Sequence, residues 1–94
     1  MSDAPMRRSD VPVGIIGFGA FGQLMAEHLR AYAPILAHDI APDAARAEAL
    51  GATLVPFETA AACPVVILAV PVSEMAGVAS RLAPHLVPGA LVLD

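Results

Sequence analysis

The sequence predicts an α/β fold: a doubly wound parallel sheet of about five strands with helices on both faces. Three observations predict it. Apolar runs at residues 11–16, 35–39, 53–55, 64–70 and 90–93 alternate with helix-like segments. The runs are continuous rather than alternating in polarity, as strands covered on both faces are. The alternation of strand and helix signals implies parallel pairing with right-handed crossovers, and the expected strand order is 3-2-1-4-5.

Each element has its own reason. Residues 1–10 are polar and without periodicity, so a disordered tail is expected there. Residues 11–16 form the first strand. A helix then runs from about Gly19 to Tyr32, with Phe21, Leu24, Met25, Leu29 and Tyr32 on one face, and Ala33-Pro34 ends it. Ile35-Leu36-Ala37-His38-Asp39 is too short for a helix and reads as the second strand. Pro42 opens the next helix at a first-turn position, Asp43 favours its positive end, and Gly51 caps its far end. Thr53-Leu54-Val55 is a brief third strand, and residues 58–63 form a short helical stretch. Residues 64–70 are the strongest strand signal. Ser73 reads as the N-cap of a further helix carrying Met75, Val78, Ala79, Leu82 and Leu86 on one face. Pro88-Gly89 then turns the chain into a last strand, an apolar edge open to pairing.

Composition narrows the function. Five basic residues against nine acidic ones give a net charge of −4, and only Arg7 and Arg8 are adjacent. No basic face is available for nucleic acid. The single cysteine, Cys63, excludes an intrachain disulfide and fits a reducing compartment. Arg7-Arg8 and the apolar run after them imitate a secretory signal, with Ala31-Tyr32-Ala33 as a mock cleavage site. Asp10, Pro12, the glycines, Gln23, Glu27, His28 and Arg30 interrupt that pattern. No apolar run reaches the ~20 residues that span a bilayer. The expected compartment is the cytoplasm, with no membrane partner.

The organising stretch is Val13-Gly14-Ile15-Ile16-Gly17-Phe18-Gly19-Ala20-Phe21-Gly22. Gly17, Gly19 and Gly22 have the G-x-G-x-x-G spacing between a strand and a helix, and an acid, Asp39, closes the next strand about 20 residues on. Gly17 permits the tight turn, Gly19 leaves room for a pyrophosphate to approach the backbone, and Gly22 lets helix and strand pack closely. The N–H groups around Ala20 and Phe21 face the phosphates with the helix dipole behind them. Phe18 lies within the same turn. This is the signature of a Rossmann-like dinucleotide-binding domain, here residues 11–94. Asp39 accepts hydrogen bonds from both adenosine-ribose hydroxyls and repels a 2′-phosphate, so NAD is expected over NADP. Ala69, Val70 and Pro71, with Val72, follow the fourth strand at the switch point and should run beside the cofactor.

Other reactive residues read as ordinary. His38 alternates away from Asp39 and is a packing or surface residue. Cys63 is a small core residue. His28 and His85 have no metal-ligand spacing with His38 or Cys63, so no metal is expected. Ser73 has no neighbouring base and no nucleophile elbow.

Gly14 to Gln23 followed by Ile35 to Asp39 resembles the start of the prephenate/arogenate dehydrogenase family. Val65-Val66-Ile67-Leu68-Ala69-Val70-Pro71-Val72 and the segment from Leu82 to Asp94 resemble that family's next two blocks. The resemblance implies NAD(P)-dependent oxidative decarboxylation in tyrosine biosynthesis, with hydride passing from a small-molecule substrate to the nicotinamide. It carries over only the cofactor half: Gly17, Gly19, Gly22, the Ala20-Phe21 turn, Asp39 and the turn from Ala69 to Val72. The family's serine-and-lysine motif, catalytic histidine, substrate arginines and dimer-forming helical domain all follow the strand that ends here at Asp94. The 94 residues alone are therefore expected to be inactive, with no catalytic residue among them, and the full-length enzyme to be a homodimer. Two alternatives use the same fold: a nucleotide-sensing regulatory module of the potassium-transport type, and a reductase of the 6-phosphogluconate or imine-reducing type. Neither matches as well, since the first lacks the Val70-Pro71 turn and the second usually prefers NADP.

Overall fold

The computed structural model describes residues 9–94. The expectation for the first ten residues therefore lies almost wholly outside the described ones. Ser9 is described, and its N–H donates to the Tyr32 carbonyl at 2.7 Å.

Strands and helices alternate along the chain. They are β1 (Val13–Ile16), α1 (Ala20–Leu29), β2 (Ile35–His38), α2 (Ala44–Ala49), β3 (Ala52–Leu54), α3 (Phe57–Ala61), β4 (Val65–Leu68), α4 (Val72–Leu82) and β5 (Leu91–Leu93), with a 3-10 turn at Ala83–His85. All pairings are parallel, and the order is β3-β2-β1-β4-β5, as the alternation predicts. Ile16 lies opposite both His38 and Leu68, so the three central strands end level and their last residues form one rim.

Neighbouring residues of a strand point to opposite faces, and the core divides accordingly. Ile15, Ile35, Ala37 and Ile67 pack with Phe18, Ala26 and Leu50 under α1 and α2. Ile16, Val66 and Leu68 pack with Phe57, Ala60, Cys63 and Leu82 under α3 and α4. Ile15, Ile35 and Val66 are fully buried, each contributing about 1.5–3 kcal/mol of hydrophobic stabilisation. β5 is the exception: Leu91, Val92 and Leu93 stay exposed on the outer edge.

Three local expectations are corrected. The α1 face that enters the core is Gly22 and Ala26, flanked by Met25 and Leu29, whereas Phe21, Leu24 and Tyr32 are 44–49% exposed. At Gly22 there is no room for a side chain, since a Cβ would lie 2.2 Å from the Gly17 carbonyl oxygen. Asp43 is itself the N-cap of α2, accepting from the Arg46 N–H at 3.0 Å, and Pro42 precedes the helix. The cap of α4 is Pro71, not Ser73: the Glu74 N–H donates to the Pro71 carbonyl at 2.9 Å, and the helix starts two residues early without a side-chain cap. The extended φ and ψ of Pro71, −56° and 147°, suit that entry.

The close approaches are made by main chain. A Cβ on Gly14 would lie 2.1 Å from the Ala60 carbonyl oxygen, so α3 rests directly on β1. In contrast, a Cβ on Gly77, within α4, would meet nothing within 4 Å. Gly14→Ala is therefore expected to destabilise the fold by about 1–3 kcal/mol, and Gly77→Ala to stabilise it by up to about 1 kcal/mol. Urea unfolding midpoints of the two variants check the opposite signs.

Candidate functional site

The site forms where β1 leaves the rim. The Gly17 N–H donates to the His38 carbonyl at 2.7 Å, and the Ala69 N–H donates to the Ile16 carbonyl at 2.8 Å, which fastens the turn to both neighbouring strands. Gly17 has φ +95°, and a Cβ there would lie 2.7 Å from the Ala69 carbonyl oxygen. Both the backbone conformation and the space demand glycine. Gly22 answers a second contact, since its Cβ would come within 2.2 Å of the Gly17 carbonyl oxygen. The first and third glycines thus hold the turn against the helix and the fourth strand.

Gly19 differs. It is exposed, it is the N-cap of α1, and an added Cβ would meet nothing within 4 Å. No side chain caps α1 and no acid sits in its first turn. The N–H groups of Ala20, Phe21 and Gly22 have no intrahelical acceptor, and the positive end of the helix dipole lies behind them.

Beyond Gly19 a cleft of about 240 Å³ opens over the carboxyl ends of the strands. Six of the expected residues line it together: Gly17, Gly19, Asp39, Ala69, Val70 and Pro71. The other four do not. Phe18 turns its ring into the core, Gly22 is buried under the helix, and Ala20 and Phe21 are exposed on the first turn of α1.

Asp39 has well-defined partners. Its Oδ2 accepts from the Phe18 N–H, and its Oδ1 accepts from the Ala41 N–H at 2.9 Å. The Phe18 carbonyl accepts from Gln23 Nε2 at 3.0 Å, and Gln23 Oε1 accepts from Arg46 Nε at 2.8 Å.

The far wall of the cleft lies outside the sequence expectation. Glu74, Val78 and Arg81, one face of α4, line it with Ile40 and Phe57. The Arg81 guanidinium lies 4.1 Å from the centre of the buried Phe57 ring, a cation–π contact. His38 is also at the cleft rather than turned away from it. Its ring meets Phe57 edge-on at 5.6 Å, and its Nδ1–H donates to the Val55 carbonyl at 3.1 Å. A packing role fits those contacts. The helical spacing of Glu74, Val78 and Arg81 was the available signal, but nothing in the sequence says that this face looks onto the strand ends.

Among the described residues no group of three or more His, Cys, Asp or Glu side chains could hold a metal ion, and no helix is long and apolar enough to cross a membrane.

A family model described as NADP oxidoreductase, coenzyme F420-dependent, matches residues 12–94. The chain belongs to that family. Its fold is the Rossmann-like domain of NAD(P)-dependent oxidoreductases. Similar solved structures include a conserved protein of unknown function reported to resemble 3-hydroxyacid dehydrogenases, at 33% identity and TM-score 0.71 over 80% of this chain and 31% of that one. The pyruvate reductase of Chlamydomonas reinhardtii matches at 27% identity and TM-score 0.74, over 95% of this chain and 27% of the reductase. Synechocystis arogenate dehydrogenase matches at 20% identity and TM-score 0.77, over 86% of this chain and 31% of the enzyme, a likeness of fold alone. The chain thus spans about a third or less of these structures. No curated protein matches it.

Cys63 is buried at 2% exposure, its Sγ–H donates to the Thr59 carbonyl at 3.6 Å, and burial pushes the thiol pKa up. Folding therefore keeps the thiol protonated, and this stability is lost only as pH climbs past the ordinary thiol range. At pH 7 the native chain should react with a disulfide reagent at least tenfold more slowly than the urea-unfolded chain. Stopped-flow absorbance of the released thiolate measures the ratio.

Proposed function

We propose that this chain is the cofactor-binding portion of an NAD(P)-dependent dehydrogenase, and that it prefers NAD. The observation that carries the reading is the pairing of an open, uncapped helix start at Gly19 with the Asp39 carboxylate in the same cleft. The cradle fits a diphosphate: the helix start at Gly19 has bare backbone at the cleft, N–H groups without an acceptor among the described residues, and the positive dipole end behind them. The nicotinamide, when bound, supplies the hydride-accepting ring.

This chain's own residues bind and orient. Gly17 and Gly22 keep the turn compact, and Ala20 and Phe21 present main-chain donors. Asp39 retains lone pairs for the ribose hydroxyls, because each carboxylate oxygen accepts only one backbone N–H. Val70 and Pro71 form an apolar side wall, and the proline has no N–H to leave unpaired. No side chain in the cleft is assigned a proton-transfer role.

The substrate reading is prephenate or arogenate, converted by oxidative decarboxylation in tyrosine biosynthesis by a cytoplasmic homodimer. It is supported by the four sequence blocks described above, while substrate-binding and catalytic residues are assigned outside residues 1–94. The family description favours a second reading, in which the dinucleotide is NADP and the hydride partner is coenzyme F420. The Asp39 charge, facing the place a 2′-phosphate would take, is the physical argument for the first.

NADH is expected to bind at least tenfold more tightly than NADPH in a calorimetric titration, a difference of about 1.4 kcal/mol. Equal affinity, or tighter NADPH binding, would refute the preference assigned to Asp39. Gly19→Val should keep the circular dichroism of the parent, since its side chain enters open space, and lose measurable NADH binding. A folded Gly19→Val variant with parental affinity would sink the diphosphate assignment.

A further inference from the structure

We propose that Asp39 is also a positioning residue for the glycine turn: its carboxylate holds the Gly17–Phe18 peptide in the orientation that keeps the diphosphate seat open, and Gln23 completes the clamp by holding the Phe18–Gly19 peptide. This rests on the dinucleotide reading and adds a second role to the acid. The two peptide units that flank the Phe18 Cα are each held by a side chain, one distant in sequence and one in the first turns of α1. The N–H is held by Asp39, 21 residues on, and the carbonyl by Gln23 Nε2 at 3.0 Å. Gln23 is fixed in turn by Arg46 Nε at 2.8 Å, so α2 supports α1 through the same network.

The chemistry gives the clamp its direction. A carboxylate only accepts hydrogen bonds, so Asp39 selects the rotamer of the turn in which the Phe18 N–H faces it. Gln23 donates through its amide nitrogen and thereby fixes the carbonyl on its own side. Gly17 and Gly19 flank this residue, and glycines give the turn the freedom to rotate its peptide units. A rotated unit would point a carbonyl oxygen towards the space where an anion is to sit. The clamp removes that alternative. Exchanging the acid for a small neutral residue, which would relieve repulsion of a 2′-phosphate, would therefore also release the turn and weaken both dinucleotides.

The test compares NADH with its analogue lacking both hydroxyls of the adenosine ribose, titrated into the chain and its Asp39→Ala, Asp39→Asn and Gln23→Leu variants. An acid that served only the ribose would give an Asp39→Ala variant with unchanged affinity for the analogue. The clamp predicts that Asp39→Ala weakens the analogue at least fivefold. Asp39→Asn, which keeps an acceptor oxygen for Phe18, should recover part of that loss. Gln23→Leu, which faces no hydroxyl, should weaken both ligands by the same factor. In the free protein, hydrogen exchange of the Phe18 amide should quicken at least tenfold in Asp39→Ala relative to the parent, while core amides of β1 stay protected. Analogue affinity unaltered in Asp39→Ala, or unaltered Phe18 exchange, would overturn the clamp and leave the dinucleotide reading intact. Failure of the parent chain to bind either ligand would overturn the dinucleotide reading, and the exchange result would then still decide the clamp.

Discussion

The architecture depends on one close approach, that of the Gly17 backbone to the carbonyl of Ala69. Three parallel strands end in register at Ile16, His38 and Leu68. The chain must then leave β1 for α1 between two occupied neighbours. With a Cβ at Gly17 excluded at 2.7 Å and φ at +95°, the bend fits only because no side chain is present. Once the bend is made, α1 must pass over it closely enough that Gly22 too can carry nothing. Packing therefore demands glycine at 17 and 22, whereas Gly19, where a Cβ would meet nothing within 4 Å, leaves the start of α1 open for a reason that packing does not supply.

Much of this was legible in the sequence because it depends on spacing. Glycines at 17, 19 and 22, continuous apolar runs and an acid closing the second strand specify the strand order and one side of the cleft. What could not be read depends on which way a helix faces. Glu74 and Arg81 border the apolar face that carries Met75, Val78 and Leu82, so in sequence they read as the solvated margin of α4. Only the crossover after β4 brings it over Phe57 and the strand ends. Gly14 was illegible for another reason: a glycine inside a strand reads as a weakness, whereas here it admits the Ala60 carbonyl of α3. The Ser73 cap failed because Pro71, already extended and without an N–H to satisfy, starts the helix first.

The two faces of the sheet do different work at the rim. On the α1 and α2 side, the polar groups are paired into a chain from Asp39 through the Phe18 peptide and Gln23 to Arg46. Towards α3 and α4 the contacts are aromatic: Phe57 meets His38 and His85 edge-on and carries Arg81 on its face. Of the hydrogen-bonded chain only Asp39 lines the cleft, and Glu74 and Arg81 line it from α4.

The acid at the end of β2 therefore has to be weighed in two ways at once. On the proposed reading it would discriminate between cofactors through repulsion as a free charge, an effect weakened by salt because the group is only partly buried. As a hydrogen-bond acceptor it acts through geometry, which salt does not screen to the same degree. If Asp39 has both proposed roles, relieving the first would loosen the second, and changing cofactor preference would require a new acceptor for the Phe18 N–H before the carboxylate could leave. Asp39, Phe18 and Gln23 are joined by hydrogen bonds although Asp39 follows β2 and Gln23 lies in α1.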